Sequence, residues 1–176
     1  VLSVLQILAL DIGTDLLPAL ALGAERPEPG TMSRRPRARH ARLLDRRVLG
    51  RAFGFLGPIE AVVSLSLLPI GAALFLGWHA GTALPEAGSS LALLSTLVFA
   101  SIVTMQMANA FECRSTPASL FSIGPLSNRL LVGAVGVEAV ILLCFVHIAP
   151  VARLLGMQAL TPAQWIPVLI APWVLL

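Results

Sequence analysis

Long apolar runs, separated by short polar stretches, constrain the fold of this chain more than any other feature. Five runs occupy residues 1–24, 52–78, 91–111, 130–149 and 160–176. The first four reach the roughly 20 residues that a helix needs to cross a bilayer. Only 12% of the residues are charged, whereas soluble domains carry about 25%. The pattern predicts an all-α, polytopic transmembrane bundle of about five helices in a lipid bilayer.

The arginines are distributed unevenly between the loops that join these runs. If every run spans, loops 25–51 and 112–129 share one side and hold all the arginines except Arg153. Positive loops stay in the cytoplasm, so we expect a multi-pass protein of the plasma membrane with a cytoplasmic basic loop, 25–51. The position of this loop beside the membrane favours topology and headgroup contact over nucleic-acid binding. No nucleic-acid partner is therefore expected.

Two carboxylates interrupt the first apolar run. Asp11 and Asp15 are one helical turn apart, and Thr14 is three residues from Asp11, so all three side chains can project from one helix face. Pro18 removes the amide that would bond the Thr14 carbonyl, and Gly13 loosens the same turn. A partly unwound helix with carboxylate, hydroxyl and carbonyl oxygens suits a hard cation.

Among the polar residues within the apolar runs, four more are candidates for a function or for contacts between helices. Glu60 is near the basic end of its run, so we interpret it as an interfacial or packing carboxylate. Gln106 and Asn109 share one helix face and suit hydrogen bonding between helices. Glu138 lies near mid-membrane, where an ionisable side chain has a functional role more often than one near the membrane surface does.

Three interpretations fit these observations. The first is a cation pump domain, and the second is a self-contained secondary cation-coupled transporter whose broken helix binds an ion at the midplane. The transporter should show an internal repeat, but no second Asp-x-x-x-Asp helix is present. The third, a membrane scaffold without transport activity, leaves the paired aspartates unexplained.

The segment from Gln6 to Gly23, with its Asp11-Ile12-Gly13-Thr14-Asp15-Leu16-Leu17-Pro18 core, resembles the sixth transmembrane helix of type II P-type cation-transporting ATPases. Met32 and Arg35-Pro36-Arg37 resemble the loop that follows it, and Thr104–Ala110 resembles the eighth helix. The resemblance covers essentially the whole chain. It implies that residues 1–176 are the C-terminal transmembrane domain, helices six to ten, of a larger pump. The absence of lysine and tyrosine is typical of a GC-rich bacterial genome, so we expect a bacterial protein.

The resemblance also implies a set of cation ligands. The matching positions of the sixth helix are Asp11, Thr14 and Asp15, and Glu138 falls near glutamates linked to a third sodium site. The eighth helix adds Gln106 and Asn109. Reticulum-type calcium pumps have Asn and Glu where this chain has Asp11 and Gln106, whereas sodium/potassium pumps have Asp and Gln. The match therefore leans away from the reticulum type, and the ion stays open among Ca²⁺, Na⁺ and K⁺.

The chemistry that drives such a pump has no counterpart in this chain. Neither a phosphate-binding glycine loop nor the Asp-Lys-Thr-Gly phosphorylation motif of the family is present. By resemblance, the N-terminal helices and cytoplasmic domains of the same polypeptide would bind ATP and Mg²⁺. We therefore expect no catalytic residue here, and a translocase only as part of the full-length protein.

Overall fold

The computed structural model describes residues 2–25, 31–33, 45–114 and 126–175, and every regular element within these ranges is helical. Most of the basic loop, including the resembling segment Arg35-Pro36-Arg37, lies outside the described residues. The α-helices, in chain order, are α1 (Val4–Gly13), α2 (Leu16–Gly23), α3 (Arg46–Arg51), α4 (Gly57–Leu76), α5 (Gly88–Glu112), α6 (Arg129–His147), α7 (Ala149–Leu154) and α8 (Pro162–Ile170).

Four helical stretches are long and apolar enough to cross a membrane: Val4–Gly23, Val48–Leu76, Gly88–Glu112 and Arg129–His147. They coincide with the first four apolar runs. The second stretch is continuous because a π-helical turn, Ala52–Leu56, joins α3 to α4. The fifth run is helical too, but its α-helix α8 is short and passes into a 3₁₀ helix over Ala171–Val174.

The first membrane stretch is broken at its middle, as the sequence predicts. Helix α1 ends at Gly13 and α2 begins at Leu16, which leaves Thr14 and Asp15 between them. The amides of both residues donate to the carbonyl of Leu10, at 3.1 and 3.3 Å. Pro18 lies in the first turn of α2, where the missing amide costs little. The break therefore places Asp15 at the start of a new, short helix.

Helix α5 forms the centre of the bundle. Leu94, Leu97, Phe99 and Val103 are fully buried along it, and the core also includes residues of α1, α4, α6 and α8. Its hydroxyl groups bond to nearby carbonyls, which satisfies them without water. Thr104, for example, donates to Ser101 and to Val168 of α8. The hydroxyl side chains of Thr96, Ser101 and Thr104 are consequently held in place by hydrogen bonds.

The helices around α5 keep large apolar side chains on their outer faces. Val4 is 74% exposed, Leu74 65% and Val140 59%. Such an apolar exterior is unfavourable in water but suits contact with lipid or with further membrane helices. Helix α5 is thus the central helix of the bundle, and the broken pair of helices α1 and α2 packs on one side of α5.

Candidate cation site

Polar side chains from three helices meet beside the break in the first membrane stretch. Asp15 precedes α2, Gln106 lies on α5 and Glu138 on α6. The amide Nε2 of Gln106 donates to Oδ2 of Asp15 at 3.2 Å. Glu138 is only 1% exposed and lies within electrostatic range of Asp15. Gln106 therefore contacts Asp15 directly, and Glu138 interacts electrostatically with the same carboxyl group, although the three residues are far apart in the sequence.

Several oxygens in this cluster have no hydrogen-bond donor among the described residues. They are both carboxyl oxygens of Glu138 and Oε1 of Gln106, and all three are buried. A buried polar atom without a partner costs about 1–3 kcal/mol, more if it is charged. Native proteins keep few such atoms, and they call for an explanation such as a bound ion. Carboxyl and amide oxygens are the ligands that hard cations prefer.

The described ionisable side chains that interact with Asp15 are all acidic. Asp11, Glu60 and Glu138 each lie close enough to interact with the Asp15 carboxylate. Like charges this close repel one another, and in the low dielectric of a membrane interior the repulsion is strong. A cation placed between them would relieve it, because each carboxylate would then gain an opposite charge.

The remaining predicted ligands of the first membrane stretch face different surroundings. Thr14 is fully buried, and its hydroxyl donates to the carbonyl of Leu10 at 2.6 Å. That bond leaves the hydroxyl oxygen with acceptor capacity. Asp11 is exposed on the surface of the described bundle. Asp11, Thr14 and Asp15 therefore differ in burial: Asp11 is exposed, Thr14 is buried and Asp15 is half-buried.

Asn109 lies apart from the cluster. Its Oδ1 accepts a hydrogen bond from the Cys113 thiol at 3.5 Å, so it is engaged one turn further along α5. Within the described residues, no three His, Cys, Asp or Glu side chains converge closely enough to hold a metal ion by themselves. A site here needs the amide of Gln106, or oxygens from beyond this chain, in addition to the carboxylates. The ligand role of each predicted residue stays a prediction.

Glu60, which the sequence predicts to be an interfacial or packing carboxylate, lies close enough to Asp15 to interact with it. It is half-buried. It also lines a groove of about 720 Å³ between α1, α4 and α5, together with Leu2, Ile7, Gly57, Ala61, Ser64, Leu65, Val98 and Ile102. The sequence contains one signal for this proximity, which is the depth of each residue in the membrane. About as many residues separate Glu60 from Arg51 as separate Asp15 from Glu25. Equal depth on neighbouring helices indicates proximity.

With this geometry in place, comparison with known proteins identifies the family. Residues 1–176 match the family model described as the C-terminus of cation transporting ATPases. The chain belongs to this family, and with its apolar helices it is part of a multi-pass membrane protein. The comparisons do not favour the secondary transporter that the sequence also allowed.

Individual relatives agree with the family match. The chain is 33% identical over 169 residues to a calcium-transporting ATPase of Bacillus subtilis, covering 94% of this chain and 17% of the relative. It is 31% identical over 164 residues to calcium-transporting ATPase 1 of Bacillus cereus, covering 92% and 18%. The rat sodium/potassium-transporting ATPase subunit alpha-4 is 28% identical over 193 residues, covering 93% and 18%. The chain thus spans less than a fifth of the length of these relatives.

Proposed function

We propose that this chain is the membrane part of an ATP-driven P-type cation pump and that Asp15, Gln106 and Glu138 contribute to its cation site. The observation that carries the proposal is the group of buried, unpartnered oxygens on Gln106 and Glu138 beside Asp15. These oxygens come from α5 and α6, and Asp15 adds a carboxylate at the start of α2, so a change in the packing of the three helices would open or close the site. A transport protein needs such a dependence of affinity on conformation.

The Gln106 amide has a specific role in this proposal. In the structure its nitrogen faces Asp15, which suits the carboxylate when no cation is bound. Rotation of the amide would present Oε1 instead, and Oε1 is buried without a donor among the described residues. The side chain would then exchange a hydrogen bond for a metal–oxygen contact. Thr14 and Asp11 would supply further oxygens from the broken helix, and Asn109 would act from the next turn of α5.

Calcium is the cation that we propose first. The relatives of Bacillus subtilis and Bacillus cereus are both named calcium-transporting ATPases. The relative named a sodium/potassium-transporting ATPase makes Na⁺ and K⁺ the alternatives. Parts of the polypeptide outside this chain would bind ATP and Mg²⁺ and pass through the phosphorylated state.

The proposal is tested on the purified full-length protein. ATPase activity at fixed ATP and Mg²⁺ is titrated separately with Ca²⁺, Na⁺ and K⁺, for the wild type and for Asp15→Asn. We expect saturable activation by calcium in the wild type and its loss in the variant, with expression of both proteins similar. ATPase activity that needs none of these cations, or the same half-activating concentration in Asp15→Asn, would contradict the proposal.

The orientation in the membrane is a separate proposal. The arginine distribution supports a plasma-membrane protein whose basic loop, 25–51, faces the cytoplasm. Single cysteines at Ser33 and at Ala83, in a background without Cys113 and Cys144, should react with an impermeant thiol reagent from opposite sides. In intact cells only Ala83→Cys should be labelled. Labelling of Ser33→Cys from outside would refute this orientation.

A further inference from the structure

A group of fully engaged polar side chains joins three helices at the basic end of the bundle. It consists of Glu25, Arg114 and Asn128, and we call it the polar clamp. Arg114 donates to both oxygens of Glu25, from Nε at 3.0 Å and from Nη2 at 3.1 Å. Asn128 Nδ2 donates to the same carboxylate at 2.7 Å. The side chain of Arg114 is 1% exposed and that of Glu25 22%, so the arginine is shielded from water while the carboxylate keeps partial access to it.

The clamp also binds the backbone of two of the helices. Asn128 Nδ2 donates to the carbonyl of Ala21 in α2 at 3.3 Å. Its Oδ1 accepts from the Leu131 amide at 3.0 Å and so caps the N-terminus of α6. Arg114 follows the C-terminal end of α5 and also donates to Ser127 at 2.6 Å. One residue at the end of each helix therefore fixes α2, α5 and α6 together.

These are the same three helices that carry the candidate cation site. About eight to ten residues separate each clamp residue from the site residue on its own helix, roughly 12–15 Å at 1.5 Å per residue. An apolar cluster of Ala21, Ala110 and Leu131 packs between the two levels. The clamp and the site are thus the two ends of one packed unit.

Helix α2 depends on this anchor more than its neighbours do. It has only eight residues, and the break at Thr14 and Asp15 separates it from α1. Its outer face is open, with Leu16 55% and Leu20 64% exposed. The hydrogen bond from Gln106 to Asp15, at 3.2 Å, already lies at the long end of the usual distance range. Small axial shifts of α2 would therefore alter the site.

We propose that the polar clamp sets the depth of α2 in the bundle and thereby positions Asp15 against Gln106 and Glu138. Arg114 is then a positioning residue for cation binding, acting through α2 without touching the ion. This inference rests on the proposed cation site. It predicts that loosening the clamp lowers the cation affinity while the maximal rate of the pump is largely kept.

The test uses the full-length pump and Ca²⁺ as the probe. In Arg114→Gln the half-activating calcium concentration should rise about tenfold, with the maximal ATPase rate within about twofold of wild type. In Arg114→Lys the charge remains but the two-pronged contact is lost, so we expect a smaller rise of about threefold. A fall in maximal rate at unchanged half-activating concentration in both variants would overturn the inference.

Arg51→Gln is the matched control. Arg51 lies at the same end of the bundle and pairs with Glu112 at 3.6 Å, and this pair joins α3 to α5 without involving α2. Its loss should leave the half-activating concentration unchanged. An equal rise in Arg51→Gln and Arg114→Gln would show a general effect of surface charge and overturn the inference.

Asn128→Ser tests the clamp with a milder substitution that keeps the helix cap needed for folding. Serine keeps an N-cap for α6 but is too short to reach Glu25 and the Ala21 carbonyl. If Arg114→Gln does not fold, Asn128→Ser should still show a rise of about threefold in the half-activating concentration, and an unchanged value would refute the clamp. Asp15→Asn, measured beside it, tells the two proposals apart. An affinity loss in Asp15→Asn alone refutes only the positioning role, whereas no loss in Asp15→Asn refutes the site.

Discussion

The polar clamp and the candidate cation site differ in how their polar atoms are satisfied. In the clamp, Glu25 accepts at least three hydrogen bonds from described residues, and Arg114 and Asn128 each reach more than one acceptor. In the site, only the contact between Gln106 and Asp15 is made, and both oxygens of Glu138 have no donor among the described residues. Both lie on α2, α5 and α6.

This difference indicates what each group does. Polar groups that are buried and fully paired specify a helix arrangement, since any shift breaks several bonds at once. Polar groups that are buried and left unpaired destabilise the protein unless something binds them. One trio of helices therefore has a rigid end and an end that favours a ligand. Mutations should affect the two ends with opposite sign.

Glu138→Met should produce the largest effect, and it tests directly the difference between the unpaired cation site and the paired clamp. Removing an unpartnered buried carboxyl should stabilise the detergent-solubilised protein without calcium by about 1–3 kcal/mol. The same change should raise the half-activating calcium concentration by at least about 100-fold, or about 2.7 kcal/mol. Thermal unfolding and ATPase titration of the same preparation measure both. A lower melting temperature with intact activation would show that Glu138 is a structural residue.

Asp11→Asn should have the next largest effect. Asp11 is exposed in the described bundle but interacts with Asp15, so we expect activation weakened by about tenfold, or about 1.4 kcal/mol. Adding Gln106→Glu should restore part of the calcium response if the two positions serve one ion. The four proteins of this double-mutant cycle are compared by calcium, sodium, potassium and magnesium titrations. Strictly additive losses would mean that Asp11 and Gln106 do not face a common ion.

Glu60→Gln tests how a carboxylate on α4 affects the candidate cation site. Glu60 interacts with Asp15 but lies on α4, in a groove that neither α2 nor α6 lines. Neutralising it weakens the attraction for a cation without removing a ligand, so we expect a rise of about threefold in the half-activating concentration, less at high salt. Glu86→Gln, an exposed loop carboxylate, serves as the control. A loss as large as that of Asp15→Asn would instead make Glu60 a ligand.

Gly71→Ala should have the smallest effect on the site. A methyl group at Gly71 would lie 2.6 Å from Cδ1 of Leu97, so α4 and α5 would have to adjust by a rotamer change or a small shift. We expect destabilisation of about 1 kcal/mol and an unchanged half-activating calcium concentration, because this contact is far from α2. Thermal unfolding and ATPase titration check the two expectations. A large affinity change would show that α4 packing controls the site.

Much of this architecture is predictable from the sequence because membrane burial imposes long apolar runs. The four longest runs and the break at Thr14 and Asp15 follow from hydropathy, Gly13 and Pro18. Which carboxylates face one another depends on helix rotation and depth, and these are set by packing between distant segments. Asp11 and Glu60 show this limit. Asp11 is exposed on the surface of the described bundle, whereas Glu60, on another helix, interacts with Asp15.

The clamp was less visible in the sequence for a different reason. Glu25, Arg114 and Asn128 sit at helix ends in polar loops, where charged residues are ordinary. Only the three-dimensional meeting of α2, α5 and α6 distinguishes them from solvated side chains. Arg114 in particular counts toward the basic side in any reading of topology, although in the structure its charge is buried against Glu25.

Equilibrium binding of calcium to the full-length protein tests the central claim most directly. Radioactive calcium bound in the absence of ATP is measured for the wild type, Glu138→Gln and the control Glu86→Gln. The account predicts saturable binding in the wild type and in Glu86→Gln, and an affinity at least about tenfold lower in Glu138→Gln. Equal affinity and equal stoichiometry in all three proteins would contradict it, because the unpartnered oxygens of Glu138 would then have no part in holding the ion.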